Sequence, residues 1–227
     1  MQTDVLILAP HADDEVLGAG GLIARLSSEG KLVTVAILTG HGTKAHPLWE
    51  KNTWKKIRKE AEDSSKLLGV SKLIFRELPA SCLDTEPNWK INKDVLSVIE
   101  KVKPREVYLP FEHDLHYDHS KVAYAGYVAL RPYLKSSSSV CRVLAYETLS
   151  ETHLRPPYFS PPFIPNVYVD ISKTLQTKLR AMSAYKSQLT KTGPRSLKAI
   201  EALAHLRGEH IGVRAAEGFI LLGEYLR

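Results

Sequence analysis

Short apolar runs bounded by turn residues alternate with longer amphipathic segments through the first two thirds of the chain. Runs too short for a helix read as buried strands, and segments repeating every three to four residues read as helices. The pattern predicts strands at Asp4 to Ala9, Leu32 to Leu38, Lys72 to Phe75, Glu106 to Leu109, Arg142 to Tyr146 and Val167 to Asp170. Helices are predicted near Asp14 to Ser28, Trp49 to Leu68, Ile91 to Val102, Asp118 to Tyr133, Ser172 to Tyr185 and Ser196 to Arg207.

This alternation implies an α/β chain: a Rossmann-like three-layer fold with a mostly parallel sheet covered on both faces. The 227 residues suit one core, so a single domain over residues 1–227 is expected. In such sheets ligands bind beyond the carboxyl ends of the strands. Residues after Ala9, after Leu38, around Ala80 and after Leu109 should therefore converge. The serine run Ser136 to Ser139 reads as a surface loop. The segment Arg155 to Phe163 holds too many prolines for a helix or central strand and suits a lid, a subunit contact or a structured loop.

Composition narrows the setting without naming a chemistry. No apolar run approaches the roughly 18 to 20 residues of a membrane span, and the chain opens directly on a strand-like segment with no basic leader. Cys82 and Cys141 stand far apart, suggesting neither a disulfide framework nor a thiolate metal site, and a reducing cytoplasm is expected. The formal charge of +6 raises nucleic acid, an anionic membrane surface or acidic small substrates as partners. The densest basic cluster, Lys51, Lys55, Lys56, Arg58 and Lys59, is mixed with glutamates and lacks base-stacking aromatics, so a solvated helix face is preferred.

The chemistry is concentrated in two places. After the first strand come Pro10, His11, Ala12, Asp13, Asp14 and Glu15. Three carboxylates so close repel unless a cation neutralises them, and a divalent metal does so while leaving one group free as a base. Helix capping by Asp13 or Asp14 explains at most one of these residues and does not explain His11. After the fourth strand come Glu112, His113, Asp114, Leu115, His116, Tyr117, Asp118 and His119. Three histidines in seven residues are hard to satisfy as core imidazoles.

One His and one Asp from the first cluster with one His from the second make a three-ligand set of the kind catalytic zinc uses. Iron stands behind zinc; cobalt or manganese also fit, and magnesium or calcium would want more oxygen. By spacing alone His113 and His116 are also a conceivable pair. The glycines Gly18, Gly20 and Gly21 raise a dinucleotide loop, but Asp13, Asp14 and Glu15 would occupy the pyrophosphate position, so close helix packing is expected instead.

At these residues the sequence resembles the LmbE-like, or PIG-L-like, zinc-dependent N-acetylglucosaminyl deacetylases. That family carries an A-H-P-D-D-E motif after its first strand and an H-P-D-H motif after a later one. Here they read A-P-H-A-D-D-E over Ala9 to Glu15 and H-Y-D-H over His116 to His119, with Ala12 and Tyr117 replacing the usual prolines. The likeness extends to Arg58, Glu60 and Ala61 ahead of Leu68, Gly69 and Val70, and to Ala184 through Gln188.

The resemblance implies metal ligation by His11, Asp14 and His119, with Asp13 as general base. It makes His116 the group facing the substrate carbonyl and Asp118 its orienting partner. It argues against His113 as a ligand. Arg58 is implied as a substrate-side arginine, with a surface ion pair to Glu62 as the alternative. Asp114, Asp84 and His41 are further candidates for contact with the sugar, Asp84 competing with plain turn formation.

The implied reaction is attack of a metal-activated water on the acetyl group of an N-acetylglucosamine-type sugar or sugar conjugate, with either Asp13 or His116 protonating the leaving amine. The alternatives are hydrolysis of a non-sugar amide at the same metal, or metal or sugar binding without catalysis. The proline-rich segment and the resemblance together leave room for a homotrimer or homohexamer.

Overall fold

Seven strands form one sheet in the computed structural model, which describes residues 3–43 and 45–226. The strands are β1 (Val5–Ala9), β2 (Val33–Gly40), β3 (Lys72–Pro79), β4 (Glu106–Pro110), β5 (Arg142–Tyr146), β6 (Val167–Asp170) and β7 (Ala216–Glu224). The helices are α1 (Asp14–Ser28), α2 (Lys51–Leu68), α3 (Asn88–Val102), α4 (Tyr117–Ala129), α5 (Leu175–Ala184) and α6 (Leu197–Glu209).

The strand order is β3-β2-β1-β4-β5-β7-β6. Every pairing is parallel except those of β7, which runs antiparallel between β5 and β6. Strand β7 was not expected: Gly218 and Gly223 punctuate its apolar run like turn residues, and long-range pairing with β5 and β6 overrides that local signal. The serine stretch also differs, since Lys135–Ser137 forms a 3₁₀ turn. Helix α4 ends at Ala129, short of the expected Tyr133, because Pro132 disfavours helical geometry at the residue before it.

Alternation along the central strands feeds two apolar layers. Val5, Ile7, Ala9, Val33, Val35 and Ile37 pack with buried residues of α1, α2, α5 and α6. Leu6, Leu8, Ala36 and Leu38 face the opposite side and pack with α3 and α4. The fold is therefore three-layered, as the continuous apolar runs imply.

The chain crosses over between β1 and β4: β2 and β3 build outward from one edge of β1, and β4 pairs with the other. At such a switch point the loops leaving the two strands diverge and open a crevice. The loops after β1 and β4 are the two that carry the His and Asp clusters.

Helix α1 is broken at Ala19, whose φ of −142° is not helical. The amides of Gly21 and Leu22, freed by the break, donate to the Glu217 carboxylate at 2.8 and 2.7 Å. Lys178 caps the Leu17 carbonyl at 2.9 Å and pairs with Glu217 at 2.6 Å. Gly18 lies against the Tyr146 ring, where an added Cβ would come within 2.1 Å of a ring carbon. The glycines serve close helix packing, in keeping with the expectation.

Candidate metal centre and active site

His11, Asp14 and His119 meet at the switch point, each offering one ligand atom to a common point. Asp14 begins α1 and His119 lies in the first turn of α4, so the two loops and the two helix N-termini frame the site. Asp14 Oδ2 stands 3.2 Å from His11 Nδ1 and 3.1 Å from His119 Nε2. The His11 amide donates to the same oxygen at 2.9 Å, fixing the turn.

The remaining ring nitrogens are occupied by carboxylates. His11 Nε2 lies 2.9 Å from Asp118 Oδ2, and His119 Nδ1 lies 2.7 Å from Asp114 Oδ2. Such partners fix the tautomer and leave His11 Nδ1 and His119 Nε2 facing the common point. Asp14 Oδ1 is buried with no hydrogen-bond partner among the described residues. Unpaired buried polar atoms of this kind fit an intended ligand rather than a finished core.

The electrostatics agree. Burial opposes protonation of both histidines, yet the carboxylates outweigh it: Asp118 and Asp14 push His11 up to about 9, and Asp14 and Asp114 push His119 up to about 10. Burial would raise Asp14 as well, but the two imidazoles hold it well below the usual carboxylate range. A spot that holds two protons so firmly has the negative potential a divalent cation needs, and the cation would displace them. Two nitrogens and one carboxylate oxygen are a donor set compatible with a divalent metal.

A second grouping, His11, His116 and Asp118, is also close enough to share an ion. It would need the His11 nitrogen already committed to Asp118, so the first grouping is the better centre. His113 belongs to neither and packs its ring on Phe111.

Asp13 sits at the N-cap of α1 and lines the cavity above this centre. Its φ of +116° lies in the region that favours glycine. Burial and the Asp14 carboxylate push its carboxyl up to about 8, opposed by Arg195, whose Nε is 3.3 Å away. His116 caps α4: its Nδ1 accepts the Asp118 amide at 3.2 Å, which puts the ring proton on Nε2, 3.3 Å from Ser81 Oγ. Burial and the neighbouring His11 push His116 down to about 4.

The cavity has a volume of about 750 Å³. Besides His11, Asp13 and His116, its walls include Trp49, Trp54 and Lys56 from the start of α2 and the residues before it, with Glu151 and Arg195 opposite. Glu151 and Arg195 were missed from the sequence. They stand alone in loops far from either cluster, and only the topology brings them in.

Several expected residues fall elsewhere. Asp118 faces His11 and accepts the Ser81 and Leu83 amides, rather than pairing its carboxylate with His116. Asp114 is fully buried behind His119, so no sugar hydroxyl reaches it as expected. Arg58 pairs with Glu77, not Glu62, and stacks over Phe75. It lines a neighbouring hollow together with His41, and neither residue lines the cavity. Asp84 is exposed in the turn after β3 and likewise does not line the cavity.

Comparison with known proteins bears on the chemistry. Residues 6–130 match the family described as PIG-L, GlcNAc-PI de-N-acetylase. A Bacillus cereus protein named "Probable N-acetyl-alpha-D-glucosaminyl L-malate deacetylase 2" is 28% identical over 83% of this chain and 84% of its own length. The diacetylchitobiose deacetylase of Thermococcus kodakarensis is 28% identical over 81% of this chain and 69% of its own. The crystal structure of a conserved Thermus thermophilus protein superposes with a TM-score of 0.78 at 26% identity, covering 100% of this chain and 97% of that one.

Proposed function

The chain belongs to the PIG-L family of GlcNAc-PI de-N-acetylases, and from that membership we propose that it is a zinc-dependent hydrolase removing the acetyl group from an N-acetylglucosamine-type sugar or sugar conjugate. The observation that carries this reading is the convergence of His11, Asp14 and His119 at the floor of a cavity that Asp13 lines.

His11 Nδ1, one Asp14 oxygen and His119 Nε2 would hold the metal. When bound, it supplies Lewis-acid charge at the acetyl carbonyl and acidity to the attacking water. Asp13 takes the proton from that water: burial makes its carboxylate a stronger base than an exposed one, and the cation's charge would favour its ionised form. His116 acts as a neutral donor: with Nδ1 committed to the Asp118 amide, its Nε2–H can turn from the Ser81 hydroxyl at 3.3 Å to the developing oxyanion. Because His116 stays neutral, Asp13 also returns the proton to the leaving amine.

Asp118 serves as the carboxylate partner of His11, and Asp114 as that of His119. Arg195, with its fork beside Asp13 and Glu151, is the cavity's arginine and takes the substrate-side role that the family resemblance gives Arg58. The cavity exceeds the size of one hexosamine ring, and the Trp49 and Trp54 faces with the Lys56 ammonium suit an attached group.

No helix among the described residues is long and apolar enough to cross a membrane. A cytoplasmic location and a homotrimer or homohexamer belong to the same reading.

The test is a panel of N-acetylhexosamines, free and conjugated, scored for acetate and free amine in equal amounts. Release from at least one conjugate supports the reading. Release from simple non-sugar acetamides alone would replace the sugar by another amide, and release from none would remove the hydrolase.

A further inference from the structure

Glu15 is the carboxylate of the first cluster to which the proposed chemistry gives no part, and it is fully buried. Both of its oxygens are engaged. Oε2 accepts the backbone N–H of Asp13 at 3.1 Å, and Oε1 accepts the Tyr185 hydroxyl at 2.5 Å. Tyr185 is also fully buried and lies at the C-terminal cap of α5, 170 residues away in sequence.

The residue held this way is strained. Asp13 adopts φ +116° and ψ −25°, a conformation that a residue with a Cβ keeps only when its surroundings enforce it. Relaxing φ would swing its carboxylate relative to the ligands at His11 and Asp14. The hydrogen bond from its amide to Glu15 acts at the nitrogen about which φ turns.

The far end of the strut is itself anchored. Ser187 donates its amide to Glu60 Oε1 at 3.1 Å and its hydroxyl to the other Glu60 oxygen, tying the segment after Tyr185 to α2. Ser187 and Gln188 then reach the cavity wall. Glu60 and the Ala184-to-Gln188 segment, both within the family resemblance, thereby acquire a use.

We propose that Tyr185 and Glu15 are positioning residues that lock the Asp13 backbone in its strained conformation and so aim the base. The inference rests on the reading of Asp13 as that base. It assigns Tyr185 no contact with substrate or metal.

The test is a set of variants measured for kcat, KM, metal affinity and melting temperature. Tyr185→Phe removes one hydroxyl and should lower kcat by about ten- to a hundredfold while KM stays within about twofold, as expected of a misaimed group. Metal affinity should stay at the wild-type value. Glu15→Met, which lacks both acceptors, should do the same or more. Glu15→Gln should retain most of kcat, because its amide oxygen still accepts from Asp13 and its NH2 still donates to the tyrosine oxygen.

The decisive arm is the Asp13→Asn background. There Tyr185→Phe should have no further effect on the residual rate, since a group acting only through Asp13 has nothing left to act on. An unchanged kcat in Tyr185→Phe and Glu15→Met, or an equal fold-loss in both backgrounds, would overturn the proposal. Full activity in Asp13→Asn itself would instead remove the base, a distinguishable result.

Discussion

His119 presents its two ring nitrogens to two different carboxylates, Nδ1 to Asp114 at 2.7 Å and Nε2 to Asp14 at 3.1 Å. A proton held on Nδ1 by the first contact bares the Nε2 lone pair, so a cation shared with Asp14 suits the second. Asp114 thus belongs to the centre although it lines no part of the cavity.

Replacing Asp114 by Asn keeps the shape but lets the amide present a donor to His119. Metal affinity, measured by competition with a chromogenic chelator, should fall about 10- to 100-fold. Wild-type affinity in a folded Asp114→Asn protein would show that the partner is dispensable.

Asp13→Asn should separate binding from turnover. The variant retains one metal per chain by elemental analysis, because its ligands are intact, while kcat drops about 10²- to 10⁴-fold through loss of the base. Loss of metal in this variant would make Asp13 a ligand instead.

The two arginines make opposite predictions. Arg195→Ala should raise KM by about tenfold or more, the scale of one lost hydrogen bond to a charged group. Arg58→Ala, removing a side chain engaged by Glu77 outside the cavity wall, should leave KM within about twofold. Steady-state kinetics on any accepted conjugate decides between them, and the reverse ranking would return the substrate-side role to Arg58.

Away from the site, Glu147 receives a two-pronged contact from Arg207 at 2.8 and 2.6 Å and a third from His153 at 2.7 Å. Burial alone would raise this carboxyl, but the hydrogen bonds from Arg207 and His153 outweigh it and hold it below its ordinary value. A carboxyl depressed in the folded state contributes stability that is fully present above its unfolded pKa. That stability is lost as the pH falls through the folded value. Thermal melts from pH 7 to pH 3 should therefore fall more steeply for wild type than for Glu147→Gln. At neutral pH Arg207→Leu, which strips the buried carboxylate of its guanidinium and leaves it to His153, should cost about 3 kcal/mol.

The parts legible in the sequence are those encoded locally. Strands β1 to β6 and all six helices follow from apolar periodicity, and the two clusters stand out because each packs its reactive groups into one turn. What escaped depends on pairing between distant segments. Strand β7 is defined by its neighbours, and Arg195 and Glu151 are single charged residues among many. The roles of Asp114 and Asp118 shifted for a related reason: sequence proximity pairs Asp118 with His116, whereas the fold gives its carboxylate to His11, 107 residues away.

Hydrolysis on this mechanism depends on a metal held by His11, Asp14 and His119. The most direct measurement is acetate release by protein stripped with a chelator and then titrated with zinc. No release is expected from the stripped protein, with recovery that saturates at one equivalent per chain and none recovered in His119→Ala. Undiminished release from fully stripped protein would contradict the mechanism.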